Sequence, residues 1–290
     1  MITYLKEKNT KFYFSLPTIL FLFIMVIFPI LFTLYSSVTN STLSAASGFV
    51  GFSNYRQLFQ EARFWDSMGN TIYFTITASI FETFLGLLFA ILLNRAFRGK
   101  TLVKTMFLLP FAATPVAIAM TWQLIYDPNM GIVNAFIALF GMEPKLWLAS
   151  TETALNCLIF IEIWQGTAIV ALIISAGLSL VPDSLYEAAG IDGASSWKCF
   201  FHITLPSINN TVFMAFILRF IEVIKAFDII YATTKGGPMH ASETLNIYGY
   251  LKAFQYFQFG SASALITMFT IVVTIIGTIL LKIKKLTTEG

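Results

Sequence analysis

Charge is the scarcest commodity in this chain: 11% of its 290 residues are Asp, Glu, Lys or Arg, against about a quarter in an ordinary soluble domain. That scarcity excludes a conventional water-soluble fold. Only two cysteines occur, Cys157 in an apolar run and Cys199 in a polar stretch. Their separation offers neither a disulfide framework nor a cysteine metal site. The two histidines, His202 and His240, are each isolated and read as structural residues. No GxxxxGK[ST] loop is present, so no nucleotide site is expected here. A net charge of +3 does not suggest a nucleic-acid partner. Nor is there a nucleophile–base pair or metal cluster, so the expected catalytic and metal-ligating residues are none.

Apolar residues are abundant: 57% of the chain, including thirty phenylalanines. A bilayer crossing needs about 20 such residues in a row. Six runs qualify, at about 14–38, 71–93, 103–125, 154–178, 208–231 and 262–284. The expected fold is therefore an all-α membrane protein, one transmembrane domain over 1–290 with six helices. The first run follows Lys6, Lys8 and Lys11 and precedes Ser44, Ala45 and Ala46, as a cleaved leader does. Its apolar core is longer than the 7–15 residues of a leader, so it reads as a span.

Basic residues orient the spans, because Lys and Arg accumulate on the cytoplasmic side. One set of ends and loops carries Lys6, Lys8, Lys11, Arg95, Arg98, Lys100, Lys104, Lys198, Lys282, Lys284 and Lys285; the other carries Arg56, Arg63, Lys145, Lys235 and Lys252. Both termini and the 182–206 loop are accordingly expected in the cytoplasm. Of the outer loops, "DPNMGIVN" (127–134) is short and rich in turn residues, and the aromatic 236–260 segment is compatible with a helix lying on the membrane surface. A purely structural role fits both equally well.

The loop "LYEAAGIDGASSWKCFFHITLP" (185–206) cannot sit in lipid. Pro182, Asp183 and Ser184 can open and cap a helix, Gly190 and Gly193 permit a bend, and Ser195 and Ser196 can cap a second short helix with Trp197, Phe200 and Phe201. Physics alone leaves open whether this bent pair is a knob for a partner's groove or an ordinary re-entry loop. Glu187-Ala188-Ala189, three residues, Gly193, nine residues, then Ile203-x-Leu205-Pro206 resembles the EAA loop of ABC-importer permeases at every defined position. "LRFIEVIKAFDIIYATTKGGP" (218–238), "DPNMGIVN" and 248–264 resemble the carbohydrate-uptake branch, of the maltose- or glycerol-phosphate-permease kind. Nearly the whole chain is covered. The first outer loop, of only about thirty residues, departs from the maltose permease, which inserts a domain there.

The resemblance implies a type I ABC importer permease fold whose EAA loop is a coupling helix. Glu187, Ala188, Ala189, Gly190, Asp192 and Gly193 are then expected to meet an ATPase subunit, with Trp197 and Phe200 in support. It also implies a second homologous permease, two cytoplasmic ABC ATPases that bind ATP and Mg, and an extracytoplasmic solute-binding protein. This chain itself is expected to hold no cofactor, and to reside in a bacterial or archaeal cytoplasmic membrane.

Charges inside apolar runs cost at least about 2.5–3.5 kcal/mol each at mid-membrane on insertion scales, which makes them functional candidates. They are Glu82, Glu162, Arg219, Glu222, Lys225 and Asp228. The last four, alternating in sign at spacing three, are expected to pair along one helix. Glu82 has no counterpart in the family pattern and is a possible partner of Arg219. Lys225 and Asp228 lie toward the outer interface and read as structural. Sugars, with many hydroxyls and apolar ring faces, suit carboxylates, guanidinium, amides and aromatics. The resemblance places substrate-lining positions at Arg219, Glu222, Val223 and Ala226 in the fifth span, and at Glu162, Gln165, Gly166 and Ile169 in the fourth. The expected cargo is an oligosaccharide; the alternative is a glycerol-phosphate-like or other anionic polyol. Rivals outside this class are an intramembrane enzyme using Glu162 and Glu222 as paired acids, and an exporter or channel subunit.

Overall fold

A computed structural model describes residues 14–42, 48–95 and 97–289, with side chains through 284. Lys6, Lys8, Lys11, Ser44, Ala45, Ala46 and the side chain of Lys285 lie outside the described residues. Twelve helices are named here: α1 (Phe14–Ser37), α2 (Ser53–Gln60), α3 (Ala62–Asn94), α4 (Lys100–Ala112), α5 (Pro115–Ile125), α6 (Ile132–Ala138), α7 (Ala154–Leu178) and α8 (Asp183–Ile191). Then follow α9 (Ser196–Val223), α10 (Asp228–Thr233), α11 (Leu245–Tyr250) and α12 (Phe259–Glu289). Among the described residues the only extended pairing is one isolated bridge, Thr39 with Phe49. Among the described residues five helices are long and apolar enough to cross a membrane, and α4 with α5 makes a sixth crossing if the bent pair is counted as one.

The third apolar run is therefore not one straight helix. α4 and α5 meet at 99°, with Ala113 and Thr114 extended between them. Pro115 opens α5 and disfavours a helical conformation at the residue before it. The fifth run breaks too: α9 stops at Val223 and α10 begins at Asp228, with Phe227 at φ −135° and ψ −54°. Elsewhere prolines are absorbed. Wide π turns at Phe23–Ile27 and Phe200–Thr204 lie just ahead of Pro29 and Pro206. A wide turn accommodates the carbonyl that a proline, lacking an N–H, leaves without its donor.

The chain divides into two compact units. The first comprises the described parts of Met1–Ala62 together with Gly249–Thr270. Asn54, buried on α2, gives its amide N–H groups to the carbonyls of Ser37 and Thr39, each at 2.8 Å. Lys252, also buried, reaches Glu61 at 2.9 Å and the Ser261 hydroxyl at 3.1 Å.

The second unit, Arg63–Tyr248 with Ile271–Gly290, holds the main helix packing. α7 packs on α9 and α4, and α10 packs on α5. Ala90, Val170, Ile174, Leu178, Ile208 and Ala215 form an apolar core contributed by α3, α7 and α9. Small residues bring these helices close: a Cβ on Gly86 would run into Val170, and one on Gly177 would meet Thr211 at 2.8 Å. Close backbone approach of this kind substitutes in lipid for the missing hydrophobic drive between helices.

The outer segment after residue 236 is not a surface-lying helix. Ser242, Glu243, Thr244, Leu245, Ile247 and Tyr248 are buried. Arg63 grips Glu243 through Nε at 2.8 Å and Nη2 at 2.6 Å, Ser67 donates to the same carboxylate at 2.9 Å, and His240 Nδ1 lies 3.1 Å from it. "DPNMGIVN" is a built turn. Asp127 accepts the backbone N–H groups of Asn129 and Met130, which holds its carboxyl below the usual range. Asn134 donates to the carbonyls of Pro128 and Lys145, and accepts the Lys145 N–H and the Trp147 indole N–H at 2.7 Å. Replacing a buried group with four such bonds orphans its partners, at about 1–3 kcal/mol. Asn134→Leu should lower the free energy of unfolding of the purified protein by an amount in that range, seen as a lower thermal midpoint, and an unchanged midpoint would show the turn to be held by other means.

Candidate functional site

Two places gather the chemistry. The first is the 183–206 hairpin. α8 carries Glu187, Ala188 and Ala189 and ends in a Schellman cap: the Gly193 N–H bonds Gly190 O at 3.2 Å and the Ala194 N–H bonds Ala189 O at 2.9 Å. Gly193 sits at φ +72°, a left-handed conformation that costs an L-residue roughly 1–2 kcal/mol. Glu187, Ala188, Gly190, Asp192 and Gly193 are exposed, whereas Ala189 and Phe200 are half-buried. Ile191 and Trp197 are exposed apolar groups, and Trp197 stacks on Phe201 with centroids 6.1 Å apart. The hydroxyls of Tyr186 and Thr204 meet at 3.0 Å and tie α8 to the start of α9. The stretch with Trp197 and Phe200 is not a separate short helix: Ser195 caps it through the Lys198 N–H, and it runs on into α9 without a break.

The second is a cavity of about 340 Å³ lined by Phe111, Pro115, Glu162, Gln165, Gly166, Arg219, Glu222, Ala226, Phe227, Asp228 and Ile229. Its centre is Arg219. The guanidinium donates from Nε to Glu82 Oε2 at 2.6 Å and from Nη2 to Glu82 Oε1 at 3.0 Å and Glu162 Oε1 at 2.8 Å; Nη1 donates to Glu222 Oε2 at 2.7 Å. One cation thus joins three carboxylates drawn from α3, α7 and α9. The Glu82 side chain is fully buried, those of Arg219 and Glu162 nearly so, and that of Glu222 is 60% exposed. Gly166 makes room for the group: a Cβ there would collide with both Glu82 Oε1 and Arg219 Nη2.

Six of the eight expected lining positions, Glu162, Gln165, Gly166, Arg219, Glu222 and Ala226, face this cavity. Ile169 and Val223 do not; Val223 points into the packed interior, 1% exposed. Phe111, Pro115, Phe227, Asp228 and Ile229 join the lining unforeseen. The two proline and chain breaks bring them there, and those breaks are the signal in the sequence that could have found them. The alternating charge register does not extend past Glu222, because α9 ends first, and Asp228 is among the residues that line the cavity.

Residues 82–284 match the model of the family described as the binding-protein-dependent transport system inner membrane component. The chain belongs to this family. It is 33% identical over 256 residues to the trehalose/maltose transport system permease protein MalF of Thermococcus litoralis, covering 88% of this chain and 85% of that one. It is 31% identical over 258 residues to the sulfoquinovosyl glycerol transport system permease protein SmoG of Agrobacterium fabrum, covering 88% and 84%. In fold it is similar to a chain of a bacterial ABC transporter involved in import of the acidic polysaccharide alginate, with TM-score 0.87, 21% identity and coverage of 98% and 97%. As a family member the chain is a multi-pass membrane permease subunit with the type I ABC importer fold.

Removing one member of a buried, hydrogen-bonded charge group strands the others, at roughly 3–5 kcal/mol. Arg219→Met and Glu82→Gln should each reduce the yield of folded permease in the membrane. The double variant should lose less than the two separate losses together, as a coupled pair does. Fully additive losses in a thermal-unfolding cycle would show the two residues to act independently.

Proposed function

We propose that this chain is the permease subunit of an ATP-driven importer for a sugar, an oligosaccharide in preference to a smaller one, handed over by an extracytoplasmic binding protein. The observation that carries this reading is α9. It runs 28 residues from Ser196 to Val223, a rod of roughly 42 Å at 1.5 Å per residue. Trp197 of the hairpin rides on one end, and Arg219 and Glu222 of the cavity on the other. A push on the hairpin is therefore delivered to the cavity by a single rigid element.

In this reading Glu187, Ala188, Ala189, Gly190, Asp192 and Gly193 seat in a cleft of a cytoplasmic ATPase, and Trp197 and Phe200 brace the contact. Two such ATPases bind ATP and Mg, so hydrolysis lies with them and this chain forms and breaks no covalent bond. A second, homologous permease supplies the other half of the pathway. A ligand shifts a two-state equilibrium only by as much as it binds the two states differently. The ATPase states must therefore grip the hairpin differently, and α9 carries that difference to the cavity. Sugar hydroxyls would bond to Glu162, Gln165 and Glu222, while Phe111 and Phe227 offer faces for the apolar side of a ring. The names of the two relatives, one of trehalose/maltose and one of sulfoquinovosyl glycerol transport, support sugar as the cargo class. The excess of Lys and Arg on one set of ends and loops supports a topology with both termini and the hairpin on the cytoplasmic side, in a bacterial or archaeal cytoplasmic membrane on this reading.

In the reconstituted assembly, Glu187→Lys or Gly193→Pro should abolish sugar-stimulated ATP hydrolysis while the chain still inserts and assembles. Glu187 is exposed, so its replacement removes a contact without disturbing the fold. Undiminished stimulation in both variants would remove the hairpin from the coupling path.

A further inference from the structure

Building on the sugar reading, we propose that the cavity takes sugars free of acidic groups and turns away uronates, sulfonates and sugar phosphates. The argument starts from the guanidinium. An arginine has five N–H donors, and four bonds from Arg219 are already made inside the protein: two to Glu82, one to Glu162 and one to Glu222. The Nε–Nη2 edge, the fork that binds a carboxylate or phosphate in bidentate fashion, is closed by Glu82, whose side chain is fully buried. Whatever protons the carboxylates hold, those donors are occupied.

The remaining polar lining is acidic. Among the described residues Arg219 is the one basic residue facing the cavity, while Glu162, Glu222 and Asp228 carry carboxylates and Gln165 an amide. Lys225, close by in sequence, is exposed and outside the lining. An anionic sugar would meet like charge with no free fork to offset it. A hydroxyl-rich neutral sugar meets acceptors instead: Glu222, 60% exposed, offers carboxylate lone pairs that hydroxyls can donate to. The same Glu222 can swing between Arg219 and the sugar, since it is the only one of the three carboxylates not buried against the guanidinium.

The cavity's charge can be read without knowing the cargo. In the full assembled transporter, with Cys157→Ala and Cys199→Ala, a thiol is introduced by Ala226→Cys, or by Gln165→Cys should the first fail to assemble. Its reaction rates with a cationic and an anionic methanethiosulfonate are compared, and their ratio is set against that for free 2-mercaptoethanol. The expected ratio favours the cation at least tenfold over the free thiol, falling to within about threefold in a Glu222→Gln, Asp228→Asn background. A ratio at or below the free thiol overturns the proposal. Equal stimulation of ATP hydrolysis by trigalacturonate and by maltotriose also overturns it and leaves the sugar reading intact. A raised ratio with no carbohydrate able to stimulate hydrolysis would sink the sugar reading, and with it the preference among sugars, while leaving the exclusion of anions by the cavity standing.

Discussion

The second unit is organised around one interaction, the grip of three carboxylates on Arg219. Placing a charge in an apolar interior is unfavourable unless every hydrogen-bonding position is answered. Here Glu82 answers one edge of the guanidinium, Glu162 shares Nη2 and Glu222 takes Nη1. Because these residues come from α3, α7 and α9, satisfying the cation also fixes how three helices stand to one another. The packing follows that demand. Gly166 leaves the space that the charged group fills, and Gly86 and Gly177, further along, let the same helices approach closely. The grip is also uneven. Glu82 is sealed and Glu222 open to the cavity, so one arm of the group is structural and another faces whatever enters.

The hairpin is built by a different rule. It must present a fixed shape outside the apolar core, and does so through backbone chemistry: a left-handed glycine closing α8, a serine cap opening α9, and a hydroxyl pair between them. Rigidity matters because a loop that deforms absorbs a push, whereas a capped helix joined to a long one transmits it. α9 runs through Pro206 and the π turn ahead of it without a break in the helix. In the proposed function this unbroken path lets events at an ATPase reach a cavity some tens of ångströms away.

Much of this was legible in the residues themselves. The six apolar runs announce a membrane protein, because twenty apolar residues in succession have few other uses. The spacing from Glu187 to Pro206 points to the family, which the match over residues 82–284 establishes. Arg219, Glu222, Glu162 and Gln165 stand out as polar groups in apolar surroundings, and Glu82 as a candidate partner for Arg219. Less legible were Phe227 and Asp228, which reach the cavity only because the helix breaks between Val223 and Asp228. Val223 and Ile169 are lining positions in the family pattern but lie outside this cavity, because matching positions along a chain does not tell the side that faces a cavity from the side that faces a neighbour.

By itself the sequence determined class, the apolar runs, the hairpin and the identity of the unusual charges, since each depends on local composition or spacing along the chain. Tertiary structure alone decided which carboxylates share Arg219, that Glu82 seals its fork, and that two of the apolar runs bend so that their ends line one cavity. Those outcomes depend on residues 57 to 137 positions apart meeting at hydrogen-bonding distance, and on breaks whose angle is set by packing. No periodicity along a single helix carries that information.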